Sequence, residues 1–381
     1  MGSLDPVGPR YGQASLAEVM PSVLAVLGVP GEFDALGLRG PLDGVRRIAV
    51  LLIDGLGWHQ LGLASAQGTT IAEVVGGRYG SARALTSGFP STTPTSLVTL
   101  GTGAPPGAHG VLGFNLKIPG TDRVLNHIQW TNDPEPQSWQ PVRTAFDRAI
   151  AAGVNAAVVS RAEYEGTGLS VSAYGTPDYY RAGNVDAIAS ELLAALKVTP
   201  IVYGYHPDLD RAGHESGVDS PAWQAAAAEV DRLITQIASG LPSDGALLVV
   251  ADHGMIDVPT TGRFDIDADS RLRAGVAVVA GEARVRYLHV EPGALDDVLA
   301  TWSAVLGRHA WVATREEAIA TGWFGVVPER HAARLGDVVV VCRERSAVLA
   351  TRHEPPSVAR FIGFHGGNTA AEMRIPLLIL R

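Results

Sequence analysis

Five short segments of this chain carry side chains of the types that bind divalent cations or attack phosphorus. Asp54 closes the apolar run IAVLLID and is followed by Gly-Leu-Gly, and Asp252 with His253 closes ALLVVADHG in the same manner. Asp210 and His214 stand four residues apart in YHPDLDRAGHESG, and His365 lies in GFHGG. The fifth segment, FPSTTPTSLVTLGTG, places a cluster of hydroxyls, Thr93 among them, at the start of a helical pattern. Carboxylate with imidazole suits zinc or manganese, and a spacing of four brings both onto one side of a helical turn. A hydroxyl at a helix start sits against unpaired backbone N–H groups and the positive end of the helix dipole, both suited to phosphate oxygens. Together these residue types predict metal-assisted phosphoryl transfer to a hydroxyl nucleophile.

Each segment taken singly has a plainer reading. Asp54 is equally a helix cap, Asp252-His253 a hydrogen-bonded structural pair, and Asp210 a turn cap in a solvated loop. Asp208 is a rival ligand within the same loop, with His206 and Glu215 as neighbours that would support a ligand rather than bind. The hydroxyl cluster by itself does not say which oxygen reacts. What favours the chemical reading is the combination, because the acids recur where apolar strands end.

Those strands set the fold class. IAVLLID, AAVVS (156–160), PIVYGY (200–205), ALLVVAD (246–252) and IPLLIL (375–380) are continuous apolar runs of the kind buried in a parallel sheet. Helical patterns lie between them, at 185–198 and from Ala222 to Ser239, the latter preceded by Ser220 and Pro221 as cap and first-turn proline. Ser15-Leu16-Ala17-Glu18 is a capping box opening a short helix that ends near Gly28. The alternation predicts an α/β protein with a doubly wound, mostly parallel sheet. In open sheets of this kind ligands sit beyond the carboxyl ends of the strands, where Asp54 and Asp252 fall. Residues 115–140 read as a polar loop or hairpin excursion. Residues 259–345, with a hairpin pattern, a helical pattern and the strand VVVVC, read as a small α+β cap inserted into a core of 1–258 and 346–381.

Bulk properties narrow the partners. A net charge of −9 argues against a nucleic-acid polymer, which needs a basic stripe, while a small anionic substrate is compatible because bound cations dominate the local field. One cysteine, Cys342, permits neither an internal disulfide nor a thiolate metal cluster. The stretch MGSLDPVGPRYGQ carries Asp5 where a secretory signal has basic residues, and no apolar run is long enough for a membrane span. The expectation is a cytoplasmic protein with no membrane contact, monomeric or a small homo-oligomer.

The motifs resemble the type I phosphodiesterase/nucleotide pyrophosphatase branch of the alkaline phosphatase superfamily. That branch carries F-P-x-x-T followed by T-G and H-G; Phe89, Pro90, Thr93, Thr102-Gly103 and His109-Gly110 fit, which selects Thr93 over Thr92 and Thr95. Its E-P-D-x-x-G-H is matched at Asp210, Gly213 and His214, its D-H-G-M at 252–255, and its G-x-H-G at Gly363, His365 and Gly366. The resemblance implies an alkaline phosphatase-like fold, one ion held by Asp54, Asp252, His253 and Thr93, and another held by Asp210, His214 and His365. It also implies an asparagine on a phosphate oxygen. Asn115 lies one position off the best alignment, and Phe114 beside it is a candidate substrate contact. Departures are real: Asp208-Leu209 stands where the family has Glu-Pro.

By this resemblance the expected activity is two-metal hydrolysis of nucleotide phosphodiesters, cyclic di-AMP or a linear dinucleotide to AMP, with Thr93 as nucleophile. Phe114, Trp130, Trp139, Tyr179 and Tyr180 are candidates for stacking on a base. A phosphonoacetate hydrolase is the nearest rival and would want basic side chains lining the cap, such as Arg284 and Arg286. A cofactor-independent phosphomutase would want a serine nucleophile in N-S-x-x-G-H, a sulfatase C/S-x-P-x-R, and neither motif occurs. A non-catalytic metal or nucleotide binding module would not need Thr93.

Overall fold

The apolar runs become the inner strands of one seven-stranded sheet in a computed structural model that describes residues 4–381. The first three residues of the N-terminal stretch discussed above therefore lie outside the described residues. Eleven strands matter to the site. They are β1 (Arg47–Ile53), β2 (Ser81–Thr86), β3 (Ala156–Ser160), β4 (Asp178–Arg181), β5 (Ile201–His206), β6 (Gly245–Val250), β7 (Val276–Glu282), β8 (Val285–Val290), β9 (Ala310–Thr314), β10 (Val338–Cys342) and β11 (Arg374–Leu380). The large sheet runs β2-β11-β6-β1-β5-β3-β4. β1 pairs in parallel with β5 and β6, and β11 is antiparallel to both its neighbours, β6 and β2.

Position in that sheet explains the residue choice. β1, β5 and β6 are covered on both faces, so their side chains are apolar without alternation. The edge strands β2 and β4 read SARALT and DYYR and are partly exposed, which is why no apolar run announced them. Helix α1 (Thr93–Thr102) carries the hydroxyl segment, α2 (Val185–Leu196) packs on β5, α3 (Asp208–Ser216) follows β5, and α4 (Pro221–Ser239) packs on α2 and α3. α2 buries Val185, Ile188, Ala189, Leu192 and Leu196, the spacing of one helical face. The capping box at Ser15 forms, with the Glu18 carboxylate accepting from the Ser15 amide.

A second, four-stranded antiparallel sheet is ordered β7-β8-β10-β9. Its two faces do different work, as the period of two allows. Val285, Tyr287, Val339 and Val341 belong to the main hydrophobic core. Leu288, Val338, Val340 and Cys342 face Val298, Trp302 and Leu306 of helix α5 (Leu295–Leu306), forming a separate smaller core. Arg263–Asp265 runs parallel to Ala347–Leu349, tying the start of this region to the chain that follows it. Among the described residues no helix is long and apolar enough to cross a membrane.

Candidate active site

Asp54 follows β1 and Asp252 follows β6, so two adjacent parallel strands deliver two carboxylates to one end of the sheet. Asp252 Oδ1 accepts from the Gly55 and His253 amides at 3.0 and 2.9 Å, which ties the two strand ends together. Gly55 has φ of 75°, and a Cβ there would come 3.0 Å from the Cα of Asp210. The glycine after Asp54 is thus what lets α3 approach. On α3 the four-residue spacing works as expected, and His214 Nε2 lies 3.4 Å from Asp210 Oδ2. His365 joins from the far end of the chain, with Nε2 3.1 Å from that of His214 and 3.7 Å from Asp210 Oδ1. His253 Nε2 is 3.2 Å from Thr93 Oγ1, 3.3 Å from Asp252 Oδ2 and 3.4 Å from Asp54 Oδ1.

Backbone carbonyls orient all three imidazoles. Nδ1 of His253 faces the Gly254 carbonyl at 3.1 Å, that of His214 the Gly363 carbonyl at 2.8 Å, and that of His365 the Ser91 carbonyl at 3.1 Å. A carbonyl only accepts, so each Nδ1 carries the proton and each Nε2 turns a lone pair into the site. Lone pairs and carboxylate oxygens aimed at one another repel unless positive charge stands among them. The acids agree: Oδ1 of Asp54, Oδ1 of Asp210 and Oδ2 of Asp252 are buried with no hydrogen-bond partner. This donor set fits divalent cations. Two groups, Asp210–His214–His365 and Asp54–Asp210–His253, each place ligand atoms within 4.8 Å of one another. Asp210 belongs to both groups.

Burial is the main cause of the shifted acidities. Burial, then the neighbouring Asp252 and Asp210, pushes the Asp54 carboxyl well above its usual range, and burial likewise raises Asp210. Burial and the flanking His253 and His214 hold His365 well below the usual histidine value for protonation. Burial drives the carboxyls toward their neutral forms, and a bound cation would oppose that. Tyr205, which the sequence reading passed over, donates its hydroxyl to Asp54 Oδ2 and leaves Oδ1 free. Its sequence signal is faint, a tyrosine within an apolar strand.

The hydroxyl cluster sorts itself by geometry. Ser91 Oγ donates to the Gly367 carbonyl at 2.6 Å, Thr92 Oγ1 to Glu282 Oε2 at 2.9 Å, and Ser96 Oγ to the Asp252 carbonyl at 3.0 Å. Thr95 is fully buried. Thr93, at the start of α1, opens onto a cavity of about 970 Å³ and reaches His253. Asp208 is drawn away by Arg161 at 2.6 Å, which leaves Asp210 as the acid this loop contributes to the cluster. Asn115 and Phe114 line the cavity, and Asn115 Nδ2 donates to the Gly281 carbonyl at 3.0 Å.

Other candidates lie elsewhere. Trp130 and Trp139 are buried against each other, and Trp139 Nε1 donates to His127 at 3.0 Å. Tyr179 and Tyr180 sit on the edge strand β4, with the Tyr179 hydroxyl donating to the Arg161 carbonyl. Of the stacking candidates only Phe114 lines the cavity, with Tyr164, Tyr174, Tyr205, Phe361 and Phe364 as its other aromatic side chains. Arg284 and Arg286 do not line it beside Thr93. Arg284 is fully buried in a bidentate pair with Glu372, both contacts 2.8 Å, and Arg286 pairs with Glu354 at 2.6 Å.

A largely parallel sheet with acids and imidazoles clustered beyond its strand ends defines an alkaline phosphatase-like α/β fold. Murine ectonucleotide pyrophosphatase/phosphodiesterase 5, solved as an inactive variant in complex with AMP, shares this fold with a TM-score of 0.71, at 18% identity over 87% of each chain. Phosphonoacetate hydrolase from Sinorhizobium meliloti, in complex with phosphonoformate, gives 0.67 at 19% identity over 88% of this chain and 90% of that one. The family described as type I phosphodiesterase/nucleotide pyrophosphatase matches residues 48–368, and the chain belongs to it. An uncharacterized pyrophosphatase/phosphodiesterase of Schizosaccharomyces pombe is 26% identical over 182 residues, which span 44% of this chain and 36% of the yeast protein.

Proposed function

We propose that this protein is a metal-dependent phosphodiesterase that hydrolyses nucleotide phosphodiesters through Thr93, with cyclic di-AMP or a linear dinucleotide taken to AMP. The observation that carries this reading is the Thr93 hydroxyl, at a helix start and 3.2 Å from His253 Nε2, opening onto a cavity walled by aromatic side chains. Asp54, Asp252, His253 and Thr93 would hold one zinc or manganese ion and Asp210, His214 and His365 a second. Such ions, when bound, neutralise phosphate charge and acidify the attacking hydroxyl.

The chain's own groups position the reaction. Thr93 Oγ1 attacks phosphorus in line, losing its proton to solvent, and the bond to the leaving nucleoside oxygen breaks with its electron pair, that oxygen taking a proton from solvent. Water then cleaves the phosphothreonine ester, which restores the hydroxyl and releases the nucleotide. Asn115 donates to a non-bridging oxygen, and Tyr205 holds Asp54 in one orientation. The region 259–345 acts as a cap over the cavity. At about 970 Å³ the cavity lies at the upper end of small-molecule sites, which supports a dinucleotide, and AMP, the ligand of the murine neighbour, is the corresponding product. A single buried cysteine accords with the reducing cytoplasm, where we place the enzyme as a monomer or small homo-oligomer.

The test is product chromatography with Mn²⁺ or Zn²⁺ on cyclic di-AMP, linear di-AMP, ATP and phosphonoacetate. The expected result is AMP from the dinucleotides, lost with chelator and in Thr93→Ala. Acetate and phosphate from phosphonoacetate alone would replace this reading with P–C hydrolysis, against which the pairing of Arg284 and Arg286 already argues.

A further inference from the structure

Glu282 is a carboxyl at the edge of the phosphoryl site that none of the functions above employs. It ends β7, and one of its oxygens, Oε2, accepts from the hydroxyl of Thr92, the residue before the proposed nucleophile. The preceding carbonyl, Gly281, accepts from the Asn115 amide. One strand corner thus touches Thr92, next to Thr93, and Asn115, which lines the same cavity. The side chain is seated against the turn after His365: Gly366 has φ of 117°, and a Cβ there would come 2.8 Å from the Glu282 carboxyl carbon. The other oxygen, Oε1, is buried with no hydrogen-bond partner, and the residue lines the cavity with Thr93, Asn115 and His365.

A buried polar oxygen without a partner calls for a ligand. Beside a phosphate that ligand is an anionic oxygen, which an ionised carboxylate would repel and a protonated one would bind. Oε2 is occupied as an acceptor by Thr92, so a proton on the carboxyl sits on Oε1. Burial favours that neutral form. Burial pushes the Glu282 carboxyl up to about 8, the Thr92 hydrogen bond and Arg286 pull it down in part, and Glu372 and Glu354 raise it again.

We propose that Glu282 is a substrate-contacting residue whose neutral carboxyl donates a hydrogen bond from Oε1 to a non-bridging oxygen of the phosphodiester held at Thr93. The proposal rests on the phosphodiesterase reading. It makes the 259–345 region part of the reacting site through one side chain, beside the Asn115 amide.

The experiment compares manganese-loaded wild type, Glu282→Gln and Glu282→Ala on bis(p-nitrophenyl) phosphate and on the Rp and Sp phosphorothioates of a dinucleoside diester, with melting temperatures as the folding control. Glutamine keeps a donor at Oε1, so its kcat/KM should stay within about fivefold of wild type, whereas alanine should cost about 10²-fold, the loss seen when one oxyanion donor is removed. Sulfur in place of the contacted oxygen should shrink the alanine penalty on one phosphorothioate isomer and not the other, as a coupled pair requires. No loss in alanine, equal loss in both variants, or the same penalty on every substrate overturns the proposal. If wild type cleaves no diester and attacks phosphonoacetate instead, the phosphodiesterase reading fails and this proposal with it, an outcome seen on wild type alone.

Discussion

Asp54 and Asp252 reach the acid and imidazole cluster from neighbouring parallel strands, whose pairing runs from Arg47 opposite Gly245 to Leu52 opposite Val250. Glu282 reaches the Thr93 cavity from the end of β7, in a different sheet. The first pair stands on strands buried on both faces, where the register brings the two acids together and Tyr205 and the Gly55 amide orient them. The second depends on a buried ion pair: Arg284, two residues past Glu282, is held by Glu372 in the turn between His365 and β11, with Thr369 and the Gly367 amide also bonded to that carboxylate. One half of the site is therefore fixed by sheet geometry and the other by a paired charge. The two should fail in different ways.

Removing the proposed nucleophile should have the largest effect. Thr93→Ala is expected to lower diester kcat by at least about 10³-fold, in the range seen when a nucleophile is deleted, with the melting temperature unchanged because both halves remain intact. Stripping cations comes next and strikes only the strand-end half. A chelator should abolish turnover, and metal at about 100 times its Kd should raise stability by about 2.7 kcal/mol. Calorimetric titration of Asp210→Asn should show that metal binding is lost, and unchanged binding there would remove Asp210 from the site.

Arg284→Met strikes the other half. Leaving Glu372 charged and unpaired where both side chains are fully buried should cost about 3–5 kcal/mol in denaturant unfolding, and adding Glu372→Met should restore much of it. If the single variant melts like wild type, the contrast between the halves collapses. The same pair gives a pH signature. Burial opposes charge on Glu372, but Arg284 more than offsets it, so the carboxyl lies below the usual range. The folded state then binds fewer protons than the unfolded one, and this stabilisation is complete above about pH 4.3 and is lost as pH falls through the folded value. The double methionine variant should lose that part of the acid dependence. The smallest effect belongs to Asp208→Asn, which breaks a partly exposed pair with Arg161 and should cost no more than about 1 kcal/mol with metal binding intact.

The chain announced its central strands because burial on both faces forces continuous apolar sequence: AAVVS is β3 to the residue, and IAVLLID and ALLVVAD end within a residue or two of β1 and β6. It did not announce β2 and β4, whose edge positions tolerate polar residues. The ligand-type side chains were legible for a related reason, since an acid after a buried strand or an imidazole four residues from an acid is a local pattern. Trp130 and Trp139 misled because a tryptophan in a polar segment looks the same whether it meets a base or packs under a loop.

What the sequence determined alone was the α/β class, the strand ends that carry Asp54 and Asp252, and the helical spacing of Asp210 and His214, all set by periodicity and nearest neighbours. Only the tertiary structure decided that Asp208 turns to Arg161, that Thr92 turns to Glu282 while Thr93 faces His253, and that Asp210 is shared between two ligand groups. Those choices depend on contacts between residues as much as 190 positions apart. Such pairings leave no periodic trace in a chain, because what selects them is the charge and space available after the sheets have packed.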